Sequence, residues 1–532
     1  MRIRWLLVSI WICFLFRGWF YASMFPLWEG YDEVAHFGVV RAMAAKGILL
    51  PPRNQLGLRD VEESLKLAPI PWGTHDWDVF RSSLTEEAYW GLSPAERSQR
   101  EARLRDMPTS WKREDSISGV SAYEAYQPPL YYWLMAPALY ALKGCSLLAQ
   151  VTLLRWIGVV IASLAVPLIF SIALTVTQRE SVALGCSAVV AVMPEFATNV
   201  ARISNEPLAI LLFTLLAWLG LRILNRAPST GSAAALGTVL GLGLLTKAYF
   251  LTAVPAVLLL VFYKYRRAWV AALATPVIAG AIAGWWYVRN VVTTGTLSGL
   301  AEPVMLRERG LAMFPAIHHI PWIHAVDVIL VSHLYFCGWS GLTVRSWMNH
   351  VFFVIAMLAA LGLIVQLRRP AVLWLLSIYG FFWLGQLYNV LLQYLTKGLA
   401  GSMGWYMYAV VASEVVLCAV AFGRYRIWAV ALGTMLFGLL DLYGMHWVAI
   451  PYYTGIIGHR ANGALAAMHI GELRALGFDA VFERLAVNKW ATVSPRVLIV
   501  LWILYIIGTI LPMAVMLSLA LKSKKGRPED AL

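Results

Sequence analysis

The chain has 532 residues, of which 60% are hydrophobic and only 14% charged, with a formal net charge of +14. A soluble domain carries about a quarter charged residues, so this composition excludes a soluble enzyme or binding module and requires a polytopic membrane protein. The basic excess would suggest a nucleic-acid partner in a soluble chain; here no nucleic acid is expected, and the placement of the charges between apolar runs matters more than their sum.

The first apolar run covers 5–26 and follows Arg2 and Arg4. It is long enough to span, with no small-residue cleavage site after it, and is expected to act as a signal anchor with its N-terminus in the cytoplasm. Arg17 lies inside it, to pair with an acid or to snorkel to the interface. Directly after the run comes Trp28-Glu29-Gly30-Tyr31-Asp32-Glu33-Val34-Ala35-His36-Phe37, two adjacent carboxylates where a membrane helix should be leaving the bilayer. The residues after Glu33 have helical spacing, which places Asp32 at the start of a surface helix, where the dipole favours its ionised form.

Residues 47–127 mix both charges densely, among them Glu62, Glu63, Asp76, Asp78, Glu86, Glu87, Arg97, Arg100, Arg103, Arg105, Lys112 and Arg113. This reads as a solvated insertion. Residues 128–143 are apolar but short and contain Pro137, as in a helix lying on or dipping into the surface.

Eleven further runs follow, at roughly 153–177, 181–197, 207–225, 232–247, 249–263, 268–288, 347–367, 371–393, 405–422, 427–447 and 496–521. With twelve spans starting inside, the basic clusters at Arg179, Arg222/Arg226, Lys264/Arg266/Arg267, Arg368/Arg369, Arg424/Arg426 and Lys522/Lys524/Lys525/Arg527 all fall in the cytoplasm, and the long polar segments fall outside. The expected fold class is an all-α polytopic membrane protein with about 12 transmembrane helices. Its divisions are a first span (1–26), a large outer loop with surface helices (27–152), spans two to seven (153–289), a donor-side outer loop (290–346), spans eight to eleven (347–447), a third outer segment (448–495) and a last span with a basic tail (496–532). The five cysteines are scattered and form no disulfide framework or metal motif.

Four short motifs now stand in order: Asp32-Glu33-x-x-His36-Phe37, Gln127-Pro128-Pro129-Leu130-Tyr131-Tyr132, Ala201-Arg202-Ile203-Ser204-Asn205-Glu206-Pro207 and Gly284-Trp285-Trp286-Tyr287-Val288-Arg289-Asn290. Together they resemble the GT-C superfamily of integral membrane glycosyltransferases, in particular the bacterial protein O-mannosyltransferase-like and aminoarabinose-transferase-like members. The resemblance covers roughly residues 1–300. One position departs: Glu206 stands where the family usually carries Asp.

The resemblance implies a donor sugar linked to polyprenyl phosphate, transferred to an acceptor at the outer face of the plasma (inner) membrane. It implies Asp32 as general base, Glu33 as the neighbour that orients or tunes it, and inversion at the anomeric carbon. Arg202, Lys247 and Arg289 are the candidate cations for the departing lipid phosphate, and His36, Tyr131, Glu206 and Asn290 the candidate substrate-binding residues. Lys397 is a further cation on the same side, and Glu414 and Asp441 are acids inside spans that need partners.

Some relatives use a divalent metal and others none; His318, His319 and His324 fit no standard ligand spacing. Two other classes compete. A lipid-linked glycan polymerase or ligase would lack Asp-Glu directly after the first span, and a transporter or flippase would show repeats and broken midplane helices. The residues identify neither the sugar nor the acceptor, whether protein, lipid or glycan.

Overall fold

The computed structural model describes residues 2–50, 53, 58–75, 83–109, 111 and 122–524. Of the charges noted above, Asp76, Asp78, Lys112, Arg113, Lys525 and Arg527 lie outside the described residues. Apart from two isolated bridges, Ile70 with Thr85 and His459 with Leu465, the regular structure described is helical.

The twelve apolar runs fold as helices, some of them in two pieces; among the described residues ten helices are long and apolar enough to cross a membrane, or eleven if one bent pair is a single span. The run at 232–247 folds as Thr230–Leu244, only 15 residues long. It packs along Ala274–Thr294, where Gly237 and Gly241 bring the backbones together: a Cβ on either would collide with Thr275 or Ile282.

The expected run at 181–197 is broken in two. Glu180–Val192 and Pro194–Val200 meet at 64°. Pro194 cannot donate to the preceding turn and its ring clashes with it, so Met193 turns extended and the carbonyls of Ala191 and Val192 lose their helical partners. Arg17 takes both, donating to Ala191 O and, at 3.1 Å, to Val192 O. Its charge is matched by Asp441 at 2.9 Å, and both side chains are fully buried. Tyr21 and Thr509 complete the acid's shell at 2.6 and 3.1 Å. Polar groups in an apolar slab must be satisfied internally, and this network does so for a break that hydropathy does not reveal. Arg17 therefore pairs and does not snorkel.

The segment 128–143 forms a helix over Leu130–Ala141. Twelve residues rise about 18 Å, well short of the hydrocarbon core. The helix packs instead on Glu33–Lys46 and ties into the bundle through Leu130 N–H to Leu245 O at 2.8 Å. The long helices share two ends. Glu206 begins Glu206–Leu224 and Lys397 closes Pro370–Lys397 at the end that holds Asp32; Arg369 and Arg266 lie at the opposite end, flanking Pro370 and Tyr265.

Candidate active site

The turn between the first helix and Glu33–Lys46 carries three acids, and two are consumed by packing. Glu29 is buried and accepts from Ser340 N–H at 2.8 Å and Ser340 Oγ at 2.9 Å. Glu33 is buried and held by the Arg155 guanidinium in a two-pronged pair, at 2.7 Å from Nε and 2.5 Å from Nη2. It also accepts from Ile203 N–H at 3.0 Å. Between them, Tyr31 stacks on Trp405 at 3.5 Å and donates to Glu195 at 2.7 Å; Glu195 in turn accepts from the backbone of Phe336 and Cys337. The stretch is thus clamped to four distant segments, and at Gly30 a Cβ would strike Arg202.

Asp32 is the acid left over. It is the residue preceding the helix, in a left-handed conformation with φ 57° that aspartate tolerates better than most residues. Its carboxylate does not cap its own helix and is half-buried. Tyr123 donates to it at 2.5 Å. Around it stand Glu124, Tyr132 and Tyr406, each of which senses its charge. Tyr406 is the link to the next cluster: it also senses Glu206, and Lys247 Nζ lies 5.1 Å from its ring.

The candidate cations fall into two groups. Arg202 is buried and spent on the backbone and side chain of Asn199, on Tyr31 O at 2.9 Å, and on the Tyr31 ring at 4.5 Å. Lys247 is buried and paired with Glu206, whose second oxygen accepts from Tyr249 at 2.7 Å. Glu206, the departure from the family pattern, is therefore the counter-ion of Lys247. Arg289 is different. It rests on Trp286 at 5.0 Å, and among the described residues no carboxylate pairs with it.

Beside it stands Arg53, which sequence reasoning passed over. Arg53 donates to Asn290 Oδ1 at 2.8 Å and to Gly299 O at 3.1 Å, and faces Tyr126 at 5.4 Å. Burial and the nearby charge of Arg289 both lower its proton affinity, as when two guanidiniums share a site without an acid. Asn290 also binds Ser298 O at 2.9 Å, so it braces Arg53 and the loop after its helix.

His36 and Glu124 form the polar floor beside Asp32. His36 Nδ1 meets Tyr132 Oη at 2.9 Å, and Nε2 lies 3.7 Å from Glu124 Oε2. Burial, with the positive charges of Lys247 and Arg202, holds the imidazole well below its ordinary pKa. Burial, followed by the charge of Asp32, pushes Glu124 up to about 8. At neutral pH both are uncharged. Tyr131 is buried, edge-on to Tyr132 at 5.5 Å.

The remaining candidates lie apart. Lys397 pairs with Glu302 at 2.7 Å, Glu414 with His333 at 2.9 Å, and His318, His319 and His324 are exposed. Among the described residues no three His, Cys, Asp or Glu side chains converge in a way that could hold a metal ion. Arg155 and Glu124 were missed by sequence reasoning. Arg155 could have been flagged as a lone charge within an apolar helix, and Glu124 by its place three residues before Gln127.

Residues 125–295 match the family model described as dolichyl-phosphate-mannose-protein mannosyltransferase, within the part of the chain that carries the four motifs. No curated protein matches. Among solved structures, the chain is similar to ArnT from Cupriavidus metallidurans bound to undecaprenyl phosphate (15% identity, 96% of this chain and 76% of that one, TM-score 0.46). The apo state of the same protein aligns at 13% identity over 94% and 74%, with TM-score 0.46. The archaeal oligosaccharyltransferase AglB from Archaeoglobus fulgidus aligns at 13% identity over 90% and 56%, with TM-score 0.31.

Proposed function

We propose that this chain is a multi-pass GT-C-type glycosyltransferase that moves a sugar from a polyprenyl-phosphate carrier to an acceptor hydroxyl at the extracytoplasmic face of the cell membrane. The observation that carries this reading is the isolation of Asp32: of the three acids in its turn it alone is neither buried nor ion-paired, and it stands beside a cluster of cations and tyrosines. The family match over residues 125–295 supports the reaction class.

In the proposed step the acceptor oxygen attacks the anomeric carbon while Asp32 takes its proton. The bond from that carbon to the phosphate oxygen breaks, and the polyprenyl phosphate leaves with the electron pair. Attack from the face opposite the leaving group inverts the centre. Charge grows on the departing phosphate, and the cations with donors to spare are Arg53 and Arg289. Arg202 is spent on the protein and acts by shaping the Asp32 turn; Glu33 positions Asp32 through Arg155. Lys247, neutralised by Glu206, lies deeper and orients the sugar or phosphate through its remaining N–H donors.

The direct test is transfer, or slow hydrolysis in the absence of acceptor, from synthetic polyprenyl-phosphate sugars by the purified protein in lipid nanodiscs. Mass spectrometry of surface glycans from cells lacking the chain identifies the sugar and acceptor. Arg53→Gln with Arg289→Gln should raise KM for the donor roughly 10- to 100-fold, the scale of two charge-assisted hydrogen bonds lost, and lower kcat less. An unchanged donor KM would remove both residues from the phosphate site.

Glu124 gives a pH prediction. As an acid whose pKa is raised by folding, it favours the folded state below about pH 4.5 and loses that contribution as pH rises through about 8. Above that value it becomes an anion beside Asp32 and His36. Turnover should therefore fall above about pH 8, and Glu124→Gln should keep activity within about threefold at pH 7 while flattening the alkaline limb. An unaltered limb in the variant would assign it to another group.

A further inference from the structure

The end of the bundle opposite Asp32 carries a cavity of about 640 Å³, within the range of small-molecule sites. It lies where the helices ending at Thr177, Leu224 and Tyr265 meet the start of Pro370–Lys397. Lys264, Arg266, Arg368 and Arg369 line it, together with apolar residues including Val176 and Tyr263, and among the described residues no Asp or Glu does.

Two of the four cations serve the fold. Lys264 donates to Leu224 O at 2.8 Å and Arg369 to Val176 O at 2.6 Å, each neutralising the carbonyl end of a neighbouring helix. Arg266 and Arg368 do not: both are exposed, and their side chains make no hydrogen bond or ion pair with the described residues. Behind them Arg426 sits against Arg369 and Arg179, with a buried Nε that has no partner. Topology alone accounts for basic residues at this end, because charges there orient the chain. It does not account for like charges gathered around one walled space without a carboxylate.

The surroundings identify the occupant. Phe262, Tyr263 and Leu373 project outward beside the cavity, an apolar surface suited to acyl chains, while the cations face the polar mouth. We infer that this cavity binds the phosphodiester headgroup of an anionic glycerophospholipid from the adjacent leaflet, with Arg266 and Arg368 as its ligands. Basic pockets between helix ends are where such headgroups are held. The site is separate from the one proposed for sugar transfer, and neither reading depends on the other.

Native mass spectrometry of the purified full chain, released from micelles with equal phosphatidylglycerol and phosphatidylcholine, tests this. Wild type should retain phosphatidylglycerol roughly 30-fold over phosphatidylcholine, the scale of two interfacial cations at about 1 kcal/mol each. Arg266→Gln with Arg368→Gln should abolish the preference, and Arg266→Lys with Arg368→Lys should keep most of it. Equal retention of the two lipids by wild type, or a preference undiminished in the Gln variant, overturns the proposal. Displacement of phosphatidylglycerol by excess inorganic phosphate also overturns it, in favour of a free-phosphate site. Should the Gln variant not fold, the wild-type preference and the phosphate competition still decide.

Discussion

Asp32→Asn should lower sugar transfer by about 10³-fold, within the range for loss of a general base, while leaving donor binding and thermal stability near wild type. The asparagine amide is the same size, retains an oxygen that can accept from Tyr123, and occupies a half-buried position that makes no salt bridge. What it lacks is the ability to take a proton. The measurement is the initial rate of transfer in nanodiscs, beside a melting curve and a donor-binding isotherm for each protein. The most informative comparison is with Asp32→Glu, which keeps the base but moves it by one methylene; it should recover part of the lost rate. Wild-type turnover by Asp32→Asn would sink the assignment of the base.

Glu33→Ala should fail differently. Removing one member of a buried pair leaves the other as an uncompensated charge, at a cost of about 3–5 kcal/mol, and Arg155 would be that charge. The Ile203 amide would lose its acceptor as well. The expected result is a large fall in melting temperature and in yield of folded protein. Replacing both, as Glu33→Ala with Arg155→Leu, should recover much of the stability, because an apolar filling is often neutral relative to a buried ion pair. If the doubly substituted protein melts near wild type but remains slow, Glu33 acts by positioning Asp32. If Glu33→Ala alone melts normally, the Glu33–Arg155 clamp is not what holds the turn.

The adjacent acids show what could be read from the sequence and what could not. Composition and the apolar runs were sufficient for an all-α membrane protein, because a helix that crosses lipid leaves a long uninterrupted signature. The same signal does not reveal where a run breaks. Pro194 lies inside the run at 181–197, and whether a proline there kinks a helix or merely bends it depends on partners such as Arg17, far away in the chain. Asp32 could be singled out by its place after the first helix. Its separation from Glu33 could not, since the two differ in role only because Arg155 reaches one of them, and sequence spacing contains nothing about that. The cations followed the same logic. Arg202, Lys247 and Arg289 were chosen by residue type and depth, whereas the structure sorts them by what already occupies their donors, and it adds Arg53, whose position in a charge-rich insertion gave no sign of a neighbour near residue 289.

The network around Arg17 also bears on how the chain is made. Arg17 enters the bilayer with the first helix, yet its partner Thr509 is 492 residues further along and Asp441 lies in a helix made nearly as late. For most of synthesis the first helix must therefore hold an unmatched cation in lipid, by leaning toward the headgroups or by borrowing carbonyls from the broken span. Only when Asp441 and the closing helix Pro495–Lys524 arrive does the charge find its counterpart. The first helix and Pro495–Lys524 pack along each other, so this pairing joins segments that are made far apart in time. A chain that stops before residue 441 has no Asp441 for Arg17 to meet.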